Sequence, residues 1–392
     1  MTTAPVATSS AKEAAAAVVE RHLDELVALS HSVHSTPELC FNETKSAHAV
    51  AEALRAGGLA VTEGAYDIPT AFESRSGQGV LVVAVCAEYD ALPEVGHACG
   101  HNIIAASAVG AGLALAAVAD DIGLQVRVLG TPAEEGGGGK IFMLDRGAFE
   151  DVHAAMMIHP WPVERLTGSC LAVAHFDVFF GGKEAHASAA PWEGVNALDA
   201  MTISQVALGL LRQQLPPGDQ VHGVITKGGG AANVIPAAVS GRFMARSRTI
   251  DGLAALEVRV RACFEAGALA TGCTVGYEKL SPDYSHMEAD PELVAAYRLN
   301  AESLGRSFDA DDADAPLPTF STDMANVSLA VPTIHPLVGI ETHGAVNHQH
   351  EFAAACITPS ADAAVRDGAL ALAWTAIDAA TEPALRERLL RA

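Results

Sequence analysis

The chain is 392 residues long, 50% of them hydrophobic, and carries a formal charge of −23 from 24 basic and 47 acidic side chains. That length holds two domains, or one with a large insertion, and the charge argues against a nucleic-acid or anionic-membrane partner. Seven cysteines, odd in number and scattered from Cys40 to Cys356, suggest no disulfide framework; a reducing, cytoplasmic setting is expected.

Met1 to Ser10 is small and polar and lacks the basic and apolar regions of a signal peptide. Residues 11–35 read as one helix whose stripe includes Ala14, Val18, Leu23, Leu26 and Leu29. A second helix, Thr44 to Ala56, stops at Gly57-Gly58. Val80 to Ala87 is a continuous apolar run of strand length, as expected of a strand covered on both faces. It leads through Glu88-Tyr89-Asp90 into Gly96-His97-Ala98-Cys99-Gly100-His101-Asn102, where a thiol and two imidazoles share five residues. A thiolate and a neutral imidazole suit zinc and similar divalent ions. Ile103 to Ala119, rich in Ala and Gly and without anchoring flanks, reads as a buried helix rather than a membrane span.

Two more apolar strands follow. Leu124 to Leu129 runs into a glycine-rich loop with the adjacent carboxylates Glu134 and Glu135, and Ala154 to Ile158 runs into His159. Three strands therefore deliver metal-ligand types past their C-terminal ends, the edge at which parallel α/β sheets bind ligands. On an irregular backbone one of two neighbouring carboxylates can ligate a metal while the other takes a proton from water. Strand and helix patterns over 172–287 then run β-α-β-β-α-β, a split βαβ sandwich. That stretch is expected to be an inserted domain, with 1–171 and 288–392 forming the main one. The α/β pattern resumes with a helix near 291–304, an apolar stretch Val331 to Ile340, and a final helix from about 359. His343, His348 and His350 lie between these last two and are each a candidate final ligand. Asp309 to Asp314 reads as a solvated acidic loop.

The motifs GHACGHN (96–102), TPAEEGGGGK (131–140), IHPW (158–161), KEAHASAAPWEGVNALDA (183–200), NVIP (233–236), STDMANVS (321–328) and NHQHEFA (347–353) span nearly the whole chain. Together they resemble the dinuclear metallopeptidase family of aminoacylases, carboxypeptidase G and plant auxin-conjugate hydrolases. The amidohydrolase branch with the p-aminobenzoyl-glutamate hydrolases is the most similar. The resemblance implies an α/β catalytic domain with an inserted lid or dimerisation domain, and a homodimer formed through it. It implies Cys99, His101, Glu135, His159 and His348 as ligands of two divalent ions, zinc first and manganese second. Glu134 would be the general base and His186 the stabiliser of the oxyanion. Asn233 and Arg246 would hold a substrate carboxylate. Two positions depart from the pattern: Asn102 stands where many branch members carry Asp, and Cys99 where other branches carry a carboxylate.

The expected activity is hydrolysis of an N-acyl amino acid or dipeptide-like amide with a free carboxylate on the leaving side. The rivals are a thiol enzyme with Cys99 as nucleophile and His97 or His101 as base, a non-catalytic metal-binding homologue, and hydrolysis of another C–N bond. Trp161, Trp192 and Phe320 are candidates for an apolar acyl pocket.

Overall fold

The computed structural model describes residues 8–308 and 319–391. The first seven residues of the Met1–Ser10 reading and the Asp309–Asp314 reading fall outside them. The chain divides into two compact units, one made of Met1–Ser169 with Met287–Ala392 and the other of Cys170–His286.

The first unit is built on a six-stranded sheet ordered Val61–Glu63, Phe72–Ser76, Leu124–Gly130, Leu81–Ala87, Ala154–Met156, Thr333–Ile334. The last four are mutually parallel, and the first two add on antiparallel. The mostly parallel α/β sheet read from the sequence is therefore present. Leu81–Ala87 is buried at every residue, which is why it reads as an unbroken apolar run. Phe72–Ser76 went unread because its sequence, FESRS, has little apolar content. Phe72 and Ser74 face inward, Glu73 and Arg75 face outward, and a small serine fills the inner face.

The apolar run after the histidine motif is the helix His101–Ala116, buried along almost its whole length. The helices Pro359–Thr381, Leu23–His34 and Thr8–Arg21 pack against it on one side and the sheet on the other. That surround explains why it is apolar all round without being a membrane element. Among the described residues no helix is long and apolar enough to cross a membrane. The single helix expected over 11–35 is two, Thr8–Arg21 and Leu23–His34, separated at His22, whose ψ of 8° leaves the helical range. The Val331–Ile340 stretch is likewise two short strands, Thr333–Ile334 and Leu337–Gly339, parted at His335-Pro336, where proline has no amide to donate. Leu337–Gly339 pairs in parallel with His159–Trp161.

The second unit has the order strand–helix–strand–strand–helix–strand. Its sheet runs Thr274–Lys279, Ala172–Gly181, Ala238–Ser247, Gln220–Lys227, all antiparallel. The helices Ala197–Leu211 and Ile250–Thr271 pack together, and an aromatic cluster of Phe176, Phe180, Phe243 and Phe264 fills the core. Side chains cap both helices, Asn196 accepting from the Leu198 amide and Thr249 from the Gly252 amide.

Candidate metal centre and active site

Three adjacent parallel strands open onto one edge of the large sheet. Glu88 and Asp90 follow Leu81–Ala87, Glu134 and Glu135 follow Leu124–Gly130, and His159 follows Ala154–Met156. The helix His101–Ala116 starts at the same edge, and its first residue is a candidate ligand. Gly100, just before it, has φ +74°, and a Cβ there would lie 2.8 Å from Pro160 Cγ. Only glycine suits both the turn and the close approach.

The donor atoms converge. Cys99, His101 and His159 form one group whose ligand atoms lie within 4.8 Å of one another, and Cys99, Glu135 and His348 form another. Cys99 belongs to both. Glu134 lies beside them, grouped with His101 and Glu135. Of the three late histidines, only His348 enters such a group among the described residues. Its backbone is held at φ 73° by its amide donating to Ala98 O, 3.0 Å, a left-handed conformation uncommon outside glycine. All three late histidines are exposed, so it is the donor grouping and not burial that separates His348 from the other two.

The imidazoles are oriented for ligation. His101 Nδ1 lies 2.9 Å from both Asp90 O and Asp90 Oδ1, which leaves its buried Nε2 without a hydrogen bond. His159 Nδ1 contacts Pro160 O at 2.9 Å, so its Nε2 is also turned away. A histidine whose Nδ1–H is engaged in this way presents the Nε2 lone pair to a metal. The second Asp90 oxygen accepts the Glu135 amide at 2.9 Å, so one carboxylate orients a candidate ligand on each of two loops.

The electrostatics fit a cationic occupant. Five carboxylates, Glu88, Asp90, Glu134, Glu135 and Asp323, surround the site. Their buried cation is Lys140, whose ammonium contacts Glu88 and, at 2.7 Å, Asp323. Burial pulls Lys140 down, but Asp323 and Glu88 outweigh it and hold the ammonium charged. The crowding raises the neighbouring acids. Burial first, then Glu88 and Glu135, push Glu134 well up, and burial with Glu135 pushes the Cys99 thiol up. Buried like charges of this kind are relieved by divalent cations. With a buried donor group and a second, more open one meeting at one thiol, the residues present fit a pair of such ions.

Sequence reading missed Asp90, Glu88, Lys140, Asp323 and His335. His335 is buried, 5.4 Å from the His159 ring, and burial pushes it well below its ordinary range. Asn102 is no ligand in this geometry. Its amide nitrogen donates to Ser30 Oγ and Cys356 O, tying the central helix to its neighbours. Trp161 and Phe320 stand 5.6 Å apart, with the Trp161 ring 6.4 Å from that of His159, whereas Trp192 is 77% exposed in the other unit.

The other three site candidates lie in the second unit. His186 bridges to Val234, which brings it beside Asn233. Its Nδ1 accepts from the Ser188 and Ala189 amides at 3.3 and 3.2 Å, so a neutral ring carries its proton on the other nitrogen as a free donor. Arg246 sits at the far end of Ala238–Ser247 from Ala238, the residue that pairs with Gly181 near the His186 loop. That strand separates them by roughly 26 Å at the usual rise. His186 and Asn233 come together; Arg246 does not join them.

Residues 84–366 match the family described as Peptidase family M20/M25/M40. A Xaa-Arg dipeptidase of Mus musculus is 39% identical over 96% of this chain and 90% of its own length. A p-aminobenzoyl-glutamate hydrolase polypeptide of Escherichia coli (strain K12) is 34% identical over 63% of this chain and 56% of its own. A solved dinuclear metal binding peptidase of Bacillus subtilis has the same fold, with a TM-score of 0.66 at 19% identity over 90% of this chain and 98% of that one. The chain belongs to the M20/M25/M40 peptidase family. It is a metal-dependent hydrolase of amide bonds.

Proposed function

We propose that the substrate is a dipeptide or N-acyl amino acid with a free carboxylate on the leaving side. Two divalent ions, zinc first and manganese second, are held by Cys99, His101, Glu135, His159 and His348. The observation that carries this reading is the meeting of two donor groups at Cys99 with Glu134 beside them. When bound, the ions lower the pKa of a water and polarise the amide carbonyl. Glu134 takes the water's proton and hands it to the leaving amine. Asp90 keeps His101 and Glu135 aimed. A thiol mechanism is disfavoured because the surroundings push Cys99 up rather than down, the opposite of an activated nucleophile.

Likeness to the mouse relative over nearly its whole length supports dipeptides ending in arginine as the first substrates to try. The Escherichia coli relative supports p-aminobenzoyl-glutamate as the second. The test is amine release by metal-loaded protein from a panel of Xaa-Arg dipeptides, N-acyl amino acids and p-aminobenzoyl-glutamate. Activity on a member with a free carboxylate, abolished by chelator and restored by zinc or manganese, is expected. Turnover that survives complete metal removal rejects the mechanism.

The second unit serves as a dimerisation and lid domain in this reading, and the chain as a cytoplasmic homodimer. His186 and Asn233 lie at one end of a strand and Arg246 at the other, which supports service to two different active sites. His186 then stabilises the oxyanion in its partner's site. Mixing inactive His186→Ala and Glu134→Ala proteins, with exchange followed by a mass tag, should restore roughly a quarter of wild-type activity, because half of randomly paired dimers hold one intact site. Complete exchange with background activity rejects action in trans.

A further inference from the structure

The loop that carries Glu134 and Glu135 is held in an unfavourable conformation by a residue far from it in sequence. Ala133, just before Glu134, has φ +59°, in the left-handed region that L side chains rarely adopt. Its amide donates to Glu43 Oε1 at 2.9 Å. The same oxygen accepts the amide of Phe41 at 2.8 Å, and Phe41 is itself left-handed at φ +58°. One fully buried carboxylate thus fixes two strained backbone positions on two separate segments.

The rest of the turn is fitted to the same purpose. Phe41 lies over Gly137, where a Cβ would come within 2.6 Å of its ring. Glu38 O accepts the Ala91 amide at 2.8 Å, which joins the turn to the segment carrying Asp90. Asp90 in turn accepts the Glu135 amide. The amides on either side of Glu134 are therefore each held by a buried carboxylate, Ala133 by Glu43 and Glu135 by Asp90. Neighbouring side chains on a regular strand would point to opposite faces. The left-handed step at Ala133 and the two clamps instead bring both carboxylates to the cluster around His101.

We infer that Glu43 is a positioning residue for the hydrolytic reaction, its carboxylate setting the backbone from which Glu134 reaches the substrate. It touches no reacting atom. The inference rests on the proposed role of Glu134. A misplacement of about 1 Å in a reacting group is enough to cost on the order of a hundredfold in rate.

The experiment compares Glu43→Gln, Glu43→Asp and Glu43→Ala with wild type and with Glu134→Gln. It reads kcat and KM separately, bound metal by elemental analysis, and fold by circular dichroism. Glu43→Gln keeps an oxygen at the same reach and should stay within about threefold of wild type in kcat. Glu43→Asp keeps the carboxyl group but falls one methylene short of the two amides. It and Glu43→Ala should lose roughly ten- to a hundredfold in kcat, with KM within about threefold and metal content intact. If the alanine variant does not fold, the aspartate variant decides. The inference is overturned if Glu43→Asp keeps wild-type kcat, if it loses metal in proportion to activity, or if Glu43→Gln is as damaged as Glu43→Asp. An active Glu134→Gln would instead overturn the reading of the base, so the two failures are separable.

Discussion

The two units fill their interiors differently. Every charged side chain of the Cys170–His286 unit reaches its surface or is partly exposed, and its fully buried polar residues are serines, Ser204, Ser247, Ser281 and Ser285. The sheet edge of the larger unit buries Glu43, Glu88, Asp90, Glu134, Lys140 and Asp323 together. Charges in a low-dielectric interior lower stability unless they are paired and hydrogen-bonded. Such a concentration is kept where a reaction needs it. The difference gathers the buried charge and the candidate metal ligands in one unit, while the other, which carries His186, is built around an aromatic core.

The sharpest way to break that comparison is at Glu134. Glu134→Gln removes the base while preserving volume and should lower kcat by about a hundredfold or more. Metal content and melting temperature should hardly move. A sharp fall in bound metal with near-normal turnover would mean that Glu134 and Glu135 have exchanged roles.

Next comes Lys140. Lys140→Met leaves Glu88 and Asp323 buried without their cation, and breaking a buried pair typically costs about 3–5 kcal/mol. Urea unfolding of metal-free protein would measure it. A loss below about 1 kcal/mol would show that the cluster is far wetter than its burial implies.

Glu43 gives a smaller, pH-dependent effect. Burial, and then Asp90, push its carboxyl from 4.5 up to about 7. The folded chain thus keeps this proton to higher pH than the unfolded chain does. The stabilisation is fully present below 4.5 and is lost as pH rises through about 7, by at most about 3 kcal/mol. Glu43→Gln cannot titrate, so its stability relative to wild type should rise between pH 4.5 and 8 in chelator-treated protein. A difference that stays flat across that range contradicts the shift.

The smallest effect belongs to the second unit. Arg242 meets Asp177 through two nitrogens at 2.8 and 2.9 Å, but the guanidinium is 57% exposed. Arg242→Ala should cost only about 0.2–1 kcal/mol and should shrink further in high salt. A cost as large as that of Lys140→Met would erase the contrast between the two units.

The sequence exposed much of this design, and unevenly. Cys99 and His101 were legible because two ligand types one residue apart follow a buried strand. The sheet's central strands were legible because burial on both faces leaves an unbroken apolar run. Glu43 was not, because its partner amide is 90 residues away and the bond is to backbone, which has no residue identity to read. Lys140 was hidden for a related reason. A lysine at the start of a short helix reads as solvated, and only the fold reveals that Glu88 and Asp323 enclose it. The break at His22 was invisible because the apolar period continues across it. Phe72–Ser76 failed on composition, since an antiparallel strand with one face inside needs only alternate apolar or small residues.

The central helix has a consequence for how the chain is made. His101–Ala116 is sixteen residues of almost wholly apolar helix, and its long cover, Pro359–Thr381, is translated far later than it is. Asn102 waits 254 residues for its acceptor at Cys356. At roughly 5–20 residues per second, that is on the order of ten to fifty seconds on the ribosome. The intervening Cys170–His286 segment carries a hydrophobic core of its own and is translated during that delay. Until Pro359–Thr381 emerges, the nascent chain holds an apolar helix without its longest covering partner.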